Sequence, residues 1–281
     1  MKPYTQLITT NELSTILSDS KLILLDASIP PIGNVAPAEH SWPEYVIPEA
    51  KQFNLKEDFS DPQSNLSHTL PSVEQFQLSA RQLGVNNDSQ IVIYDHLGIY
   101  SSARAWWMFK AMGHKHVAVL DGGLPKWMSE GKATQKAKKV SIVQGNFVAQ
   151  FQKGYFCNAD FVLNNLYNPD KTIIDARATL RFLGNTDEPR AGVRSGHIPE
   201  AKNLPYSDLL INGCFNSKSA LRTIFQEYTD ADNSLIFSCG SGITACILAL
   251  AADIIGYKSL CVYDGSWAEW GSDDKFPIER G

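Results

Sequence analysis

The chain repeats itself once, and this duplication constrains its fold more than any other feature. Leu25-Asp-Ala27 recurs as Ile174-Asp-Ala176, and Ile47-Pro-Glu-Ala50 as Ile198-Pro-Glu-Ala201. Further on, Ile91-Val-Ile-Tyr-Asp95 parallels Leu235-Ile-Phe-Ser-Cys239, and Asp121-Gly-Gly-Leu-Pro-Lys-Trp127 parallels Asp264-Gly-Ser-Trp-Ala-Glu-Trp270. The order is kept, and the period is far too long for a solenoid of short repeats. With 281 residues the chain has room for two ordinary domains. Two tandem domains of similar fold are therefore expected, at residues 1–138 and 153–281, with a linker over 139–152.

Within each half, helical and strand patterns alternate. Thr9-Thr-Asn-Glu12 has the form of a capping box ahead of Leu13, Ile16 and Leu17, and the apolar run Leu22 to Leu25 follows as a strand. Ser72-Val-Glu-Gln75 marks a second helix start. Such alternation predicts an α/β fold with a mainly parallel sheet covered on both faces. Ligands of such sheets bind beyond the carboxyl ends of the strands.

Cys239 falls at such an end. Leu235, Ile236 and Phe237 read as a buried strand, while Ile243, Cys246, Ile247, Leu250 and Ile254 recur at helical spacing. Between them, Gly240 and Gly242 let the backbone curl and aim successive N–H groups inward. An anion is favoured in such a turn, and there the amides and the positive helix end stabilise thiolate over thiol. Cys239 is thus either a small buried hydrophobe or a nucleophile, and only the nucleophile has a use for the glycine turn. Its counterpart in the first half is Asp95, so only the second half carries a thiol at the ligand end.

Charge and cysteine content narrow the partners. The net charge is −5, with no long basic run beyond Lys132 to Lys139, so neither nucleic acid nor an anionic membrane surface is expected as a partner. Residues 1–6 lack the apolar core of a signal peptide, and the apolar stretch Ala245 to Ile255 is too short to span a bilayer. A cytoplasmic protein is expected. Five scattered cysteines without a CxxC pair indicate neither a disulfide framework nor a metal site, and no cofactor is expected.

With these residues assembled, the chain resembles the two-domain rhodanese-type sulfurtransferases. Cys239-Gly-Ser-Gly-Ile-Thr244 is similar to the active loop of the mercaptopyruvate-using branch, and Tyr263-Asp-Gly-Ser-Trp-Ala-Glu-Trp-Gly271 to the family's C-terminal signature. Arg104-Ala-Trp-Trp107 and Leu120-Asp-Gly-Gly123 are similar to stretches of the family's first domain. The resemblance covers nearly the whole chain. It implies one five-stranded rhodanese-like sheet per half, flanked by helices, with an inactive first domain and a catalytic second one.

The resemblance also implies chemistry. Cys239 would take the outer sulfur of 3-mercaptopyruvate as a persulfide and pass it to a thiol such as thioredoxin, or to cyanide. The loop residues Gly240, Gly242, Ile243 and Thr244 would hold the anion. Arg181 and Arg190, in Arg181-Phe-Leu-Gly184 and Glu188-Pro-Arg190, would bind the donor's carboxylate and keto oxygen, farther out than the loop. Ser241 would move a proton together with His68 and an acidic partner, for which Glu57 is the choice. Arg194 reads as a solvated surface arginine and His197 as a structural histidine. The tryptophans Trp106, Trp107, Trp127, Trp267 and Trp270 suit cores.

The competing readings differ in the loop. A thiosulfate:cyanide sulfurtransferase, the runner-up, would place cationic side chains in it, whereas residues 240–244 carry none. A phosphatase on this fold would need a longer loop ending in arginine, yet Ala245-Cys246 follows. A binding module without activity would be favoured by a missing cysteine or a broken loop.

Overall fold

In the computed structural model, residues 5–30, 43–138, 142–229 and 233–281 are described. The chain divides into two compact units. The first comprises residues 1–63, 70–152 and 212–214, and the second residues 64–69, 153–211 and 215–281.

The first unit is built on five parallel strands: β1 (Leu7–Ile8), β2 (Leu22–Asp26), β3 (Lys51–Gln52), β4 (Gln90–Tyr94) and β5 (Val117–Leu120). Their spatial order is β1-β5-β4-β2-β3. The second unit repeats it with β6 (Phe156–Cys157), β7 (Lys171–Asp175), β8 (Lys202–Asn203), β9 (Ser234–Ser238) and β10 (Leu260–Tyr263), in the order β6-β10-β9-β7-β8. Register is matched too: Asp26 pairs with Tyr94 as Asp175 pairs with Ser238. The expected α/β fold of two mainly parallel five-stranded sheets is what the chain adopts.

Helices cover the sheets: α1 (Thr10–Ile16), α2 (Val73–Gln82), α3 (Ser102–Ala111) and α4 (Gly123–Ser129), then α5 (Ala159–Leu163), α6 (Thr179–Phe182), α7 (Lys218–Gln226), α8 (Ala245–Ile255) and α9 (Ser266–Trp270). The Thr9 capping box forms as its sequence dictates, and the Ser72 hydroxyl accepts from the Gln75 N–H. Ten of the eleven residues of α8 are buried, so this helix is apolar all round and lies within the core of its unit. It stops at Gly256, whose φ of 105° only glycine adopts without strain. Among the described residues no helix is long and apolar enough to cross a membrane, and all five cysteines are free.

The five tryptophans named above are 0–2% exposed and sit in cores, as expected. In the first unit Phe53, Phe59, Phe76, Phe109 and Phe147 form an aromatic cluster, and His114 packs against two of its members, Phe109 and Phe147. The His114 Nδ1 accepts from the His116 N–H at 3.3 Å, which leaves Nε2–H to face the Asn86 carbonyl at 3.3 Å. Burial holds this imidazole down to about 4. The folded state thus binds the proton less tightly than the unfolded chain. The resulting stability is present above about 6.5 and is lost as pH falls through about 4, on the order of 3 kcal/mol in all. Melting midpoints should drop on acidification across that window, and His114→Gln should flatten the drop. Identical slopes in both proteins would assign the acid limb to other groups.

Candidate active site

The two halves place matching loops after β4 and β9, and the first shows what such a loop holds. Asp95 is fully buried. Its Oδ1 accepts from the Leu97 N–H at 2.9 Å, and its Oδ2 from the N–H groups of Tyr100 at 2.8 Å and Ser102 at 2.9 Å and from the Ser102 hydroxyl at 2.6 Å. The His96 N–H is taken by the Ser28 hydroxyl at 3.0 Å. This loop is an anion cradle filled by its own carboxylate. Asp26 has no arginine beside it here, and burial, opposed by hydrogen bonds from Ser28, raises its carboxyl above the usual range.

In the second unit the carboxylate is replaced by a thiol. Cys239 is 1% exposed, and its N–H donates to the Ser266 hydroxyl at 3.2 Å. The carbonyls of Cys239 and Gly240 accept from the Trp267 and Ala268 N–H groups at the start of α9, both at 2.9 Å, which ties the loop to that helix. Ser266 holds a φ of 50° where the first half has Gly123 at 53°, a conformation disfavoured for a side chain. Among the described residues the N–H groups of Gly240, Ser241, Ile243 and Thr244 donate to no backbone carbonyl or side chain, although Leu97 and Tyr100 at the matching positions are engaged. The Ser241 hydroxyl is likewise buried with no hydrogen-bond partner among the described residues. The second loop thus offers the Ser241 and Thr244 amides with no carboxylate to occupy them, while the counterpart of the Ser102 amide, Cys246 N–H, donates to the Ile243 carbonyl at 3.0 Å. Cys246 does not compete for the site, because its thiol donates back to the Gly242 carbonyl at 3.2 Å inside the helix start.

Cations converge on this loop. A Cβ placed on Gly240 would lie 3.3 Å from Arg181 Nη2, 3.8 Å from its Nη1 and 3.9 Å from Arg190 Nη1. Both guanidinium groups therefore stand against the loop, closer than the sequence reading placed them. Arg181 comes from α6 and Arg190 from the irregular segment after it. Arg190 has no carboxylate or carbonyl partner among the described residues for its side chain. Arg181 is held by Glu188, through Nε to Oε1 at 3.1 Å and Nη2 to Oε2 at 2.5 Å.

Behind this pair lies Arg177, which the sequence reading passed over. Its guanidinium grips Asp175 at the end of β7 at 2.8–3.1 Å, reaches the Gly196 carbonyl at 2.8 Å, and gives Nη1 to Glu188 at 3.0 Å. It also lies 4.5 Å above the Trp267 ring of α9. Burial opposes its charge, but Asp175 and Glu188 outweigh that and hold its pKa above the ordinary arginine value. A signal was available: the position matching Arg177 in the first half is Ser28, so the half with Cys239 carries a charge that the half with Asp95 lacks.

The other candidates are placed as follows. His68 belongs to the second unit, with Cys239 and Ser241, and has a φ of 66°. Glu57 belongs to the first unit, is exposed, and accepts from Asn54 Nδ2 at 3.1 Å. His197 is stacked on Phe182 at 3.8 Å, with Nδ1 2.8 Å from the Phe182 carbonyl, a structural role as expected. Arg194 corrects an expectation. It is not a solvated surface side chain, because it donates to the carbonyls of Gly271, Trp270, Asp273 and Phe276 and so pins the C-terminal segment.

The chain is similar to proteins of known family. The family model described as a rhodanese-like domain matches residues 9–130 and 158–273. The thiosulfate/3-mercaptopyruvate sulfurtransferase 1, mitochondrial, of Arabidopsis thaliana is 38% identical over 255 residues, covering 83% of this chain and 67% of that protein. The 3-mercaptopyruvate sulfurtransferase of Homo sapiens is 39% identical over 255 residues, covering 89% of this chain and 84% of that protein. The crystal structure of SseA, a 3-mercaptopyruvate sulfotransferase from Escherichia coli, superposes with a TM-score of 0.84 at 32% identity, covering 94% of this chain and 99% of that one.

Proposed function

The chain belongs to the rhodanese family, and from that premise we propose that it transfers the sulfur of 3-mercaptopyruvate to a thiol or to cyanide through a persulfide on Cys239. One observation carries this reading: the Leu97 and Tyr100 amides that Asp95 occupies in the first unit have counterparts on Ser241 and Thr244 that donate to no protein acceptor among the described residues, beside Cys239. A thiolate, and then a persulfide anion, replaces the carboxylate in that cradle.

The step balances simply. The Cys239 thiolate attacks the donor sulfur and forms an S–S bond while the C–S bond breaks, and its electron pair passes to carbon as pyruvate enolate. Ser241, relayed by His68, supplies the proton that converts enolate to pyruvate. The Ser241 hydroxyl is buried with no hydrogen-bond partner among the described residues, which leaves its proton to the ligand, and the left-handed backbone of His68 is a conformation that persists only where the surroundings hold it. An acceptor thiolate, from a small thiol or a thioredoxin-like protein, then attacks the outer sulfur and releases Cys239. The cycle is ping-pong and calls on no cofactor.

Arg181 and Arg190 bind the donor's carboxylate and keto oxygen. Arg190 offers its whole fork, while Arg181 offers the Nη1 side that Glu188 leaves open. Initial rates with 3-mercaptopyruvate and with thiosulfate, using cyanide as the common acceptor, test the reading. The kcat/KM for 3-mercaptopyruvate should exceed that for thiosulfate by at least about tenfold, because expelling an enolate rewards the Ser241 proton and expelling sulfite does not. The reverse order would make the chain a thiosulfate:cyanide sulfurtransferase.

A further inference from the structure

We infer that Glu188 sets donor specificity: by holding Arg181 and Arg177 together it leaves the arginine cluster beside the Cys239 loop with a single net positive charge, which selects a monoanionic sulfur donor over a dianionic one. The inference rests on the donor reading above and deepens it.

The arginines stand so close to Gly240 that an uncharged loop alone does not explain discrimination against thiosulfate. Three guanidinium groups, Arg177, Arg181 and Arg190, adjoin the loop or one another, and a dianion would profit from all of them. Two buried carboxylates offset them. Asp175 neutralises Arg177 at the end of β7, and Glu188, whose side chain is 3% exposed, lies between Arg177 and Arg181. Three positive and two negative charges leave one. A keto acid with one carboxylate is matched by that balance, whereas thiosulfate brings a second negative charge with nothing to meet it.

Glu188 also fixes geometry. Its two oxygens engage Nε and Nη2 of Arg181, so the guanidinium plane cannot rotate, and its remaining N–H groups face the Gly240 side. Arg177 in turn is anchored to the strand end, to Gly196 and over Trp267. The carboxylate is thus both the clamp on Arg181 and the counter-charge of the site.

Glu188→Gln keeps the shape and removes the charge. With cyanide as acceptor, its kcat/KM for thiosulfate relative to that for 3-mercaptopyruvate should rise at least about tenfold over wild type, through a lower KM for thiosulfate. The double variant Arg177→Gln/Glu188→Gln loses one charge of each sign, and its donor ratio should return to within about threefold of wild type even where both rates fall. Equal factors for both donors in Glu188→Gln, or a double variant shifted as far as the single one, would overturn the inference. Melting curves establish that each variant is folded, and if Glu188→Gln is not, the double variant decides: a tenfold shift in its ratio rejects the charge balance. A wild type that prefers thiosulfate would overturn the donor reading alone, since the change from wild type to variant still reports on Glu188.

Discussion

Cys239→Ser is expected to abolish turnover with either donor, by at least about four orders of magnitude. A hydroxyl at this position is a far weaker nucleophile at neutral pH and forms no persulfide. No other thiol is set to replace it. Cys246 is buried in the first turn of α8 with its thiol turned to the Gly242 carbonyl, and the matching loop of the first unit carries Asp95. Because serine is smaller than cysteine and can still accompany the Ser266 contact, which is made by the backbone N–H, the fold should survive with an unchanged melting curve. Residual activity above about one per cent in folded Cys239→Ser would place the transferred sulfur elsewhere.

Arg181→Ala and Arg190→Ala should each lower kcat/KM for 3-mercaptopyruvate by about 10–100-fold, the scale of one charged hydrogen-bonding group. Arg190 should be the more sensitive position. Its guanidinium has no protein acceptor among the described residues, so all its donors are open to a ligand, whereas Arg181 already gives two of its nitrogens to Glu188. Lysine should restore little at either place, because an ammonium cannot reproduce two parallel N–H donors. Steady-state kinetics across the four variants measure this directly. Unchanged kinetics in both alanine variants would remove the donor carboxylate from this corner.

Much of this was legible in the sequence because it is written locally. The duplication exposes the two sheets, since each strand pairs with the same partners in both halves. The glycine turn at Cys239 is contiguous, and the caps at Thr9 and Ser72 each lie within four residues. What escaped is written across distance. Arg177 and Glu188 meet across a segment with little regular structure, so no period reveals their contact. The Ser266 hydroxyl reaches Cys239 over 27 residues of chain. Arg194 reads as an ordinary surface arginine until its four carbonyl partners, 76–82 residues away, fold back around it. Residues 64–69 come from the first half of the chain yet belong to the second compact unit, and only tertiary contacts assign them. The comparison of Ser28 with Arg177 shows how much of the rest a duplicated chain holds, because the half with Asp95 serves as a template against which the half with Cys239 can be read.

Between the two half-reactions the transferred sulfur should rest on Cys239. Purified protein treated with 3-mercaptopyruvate in the absence of any acceptor should gain about 32 Da by intact mass, one sulfur per chain, carried on the peptide that contains Cys239. Cyanide should then remove the gain, and Cys239→Ser should never acquire it. A gain located on Cys246 or any other cysteine, or no gain in protein that turns over the donor, would contradict the persulfide at Cys239.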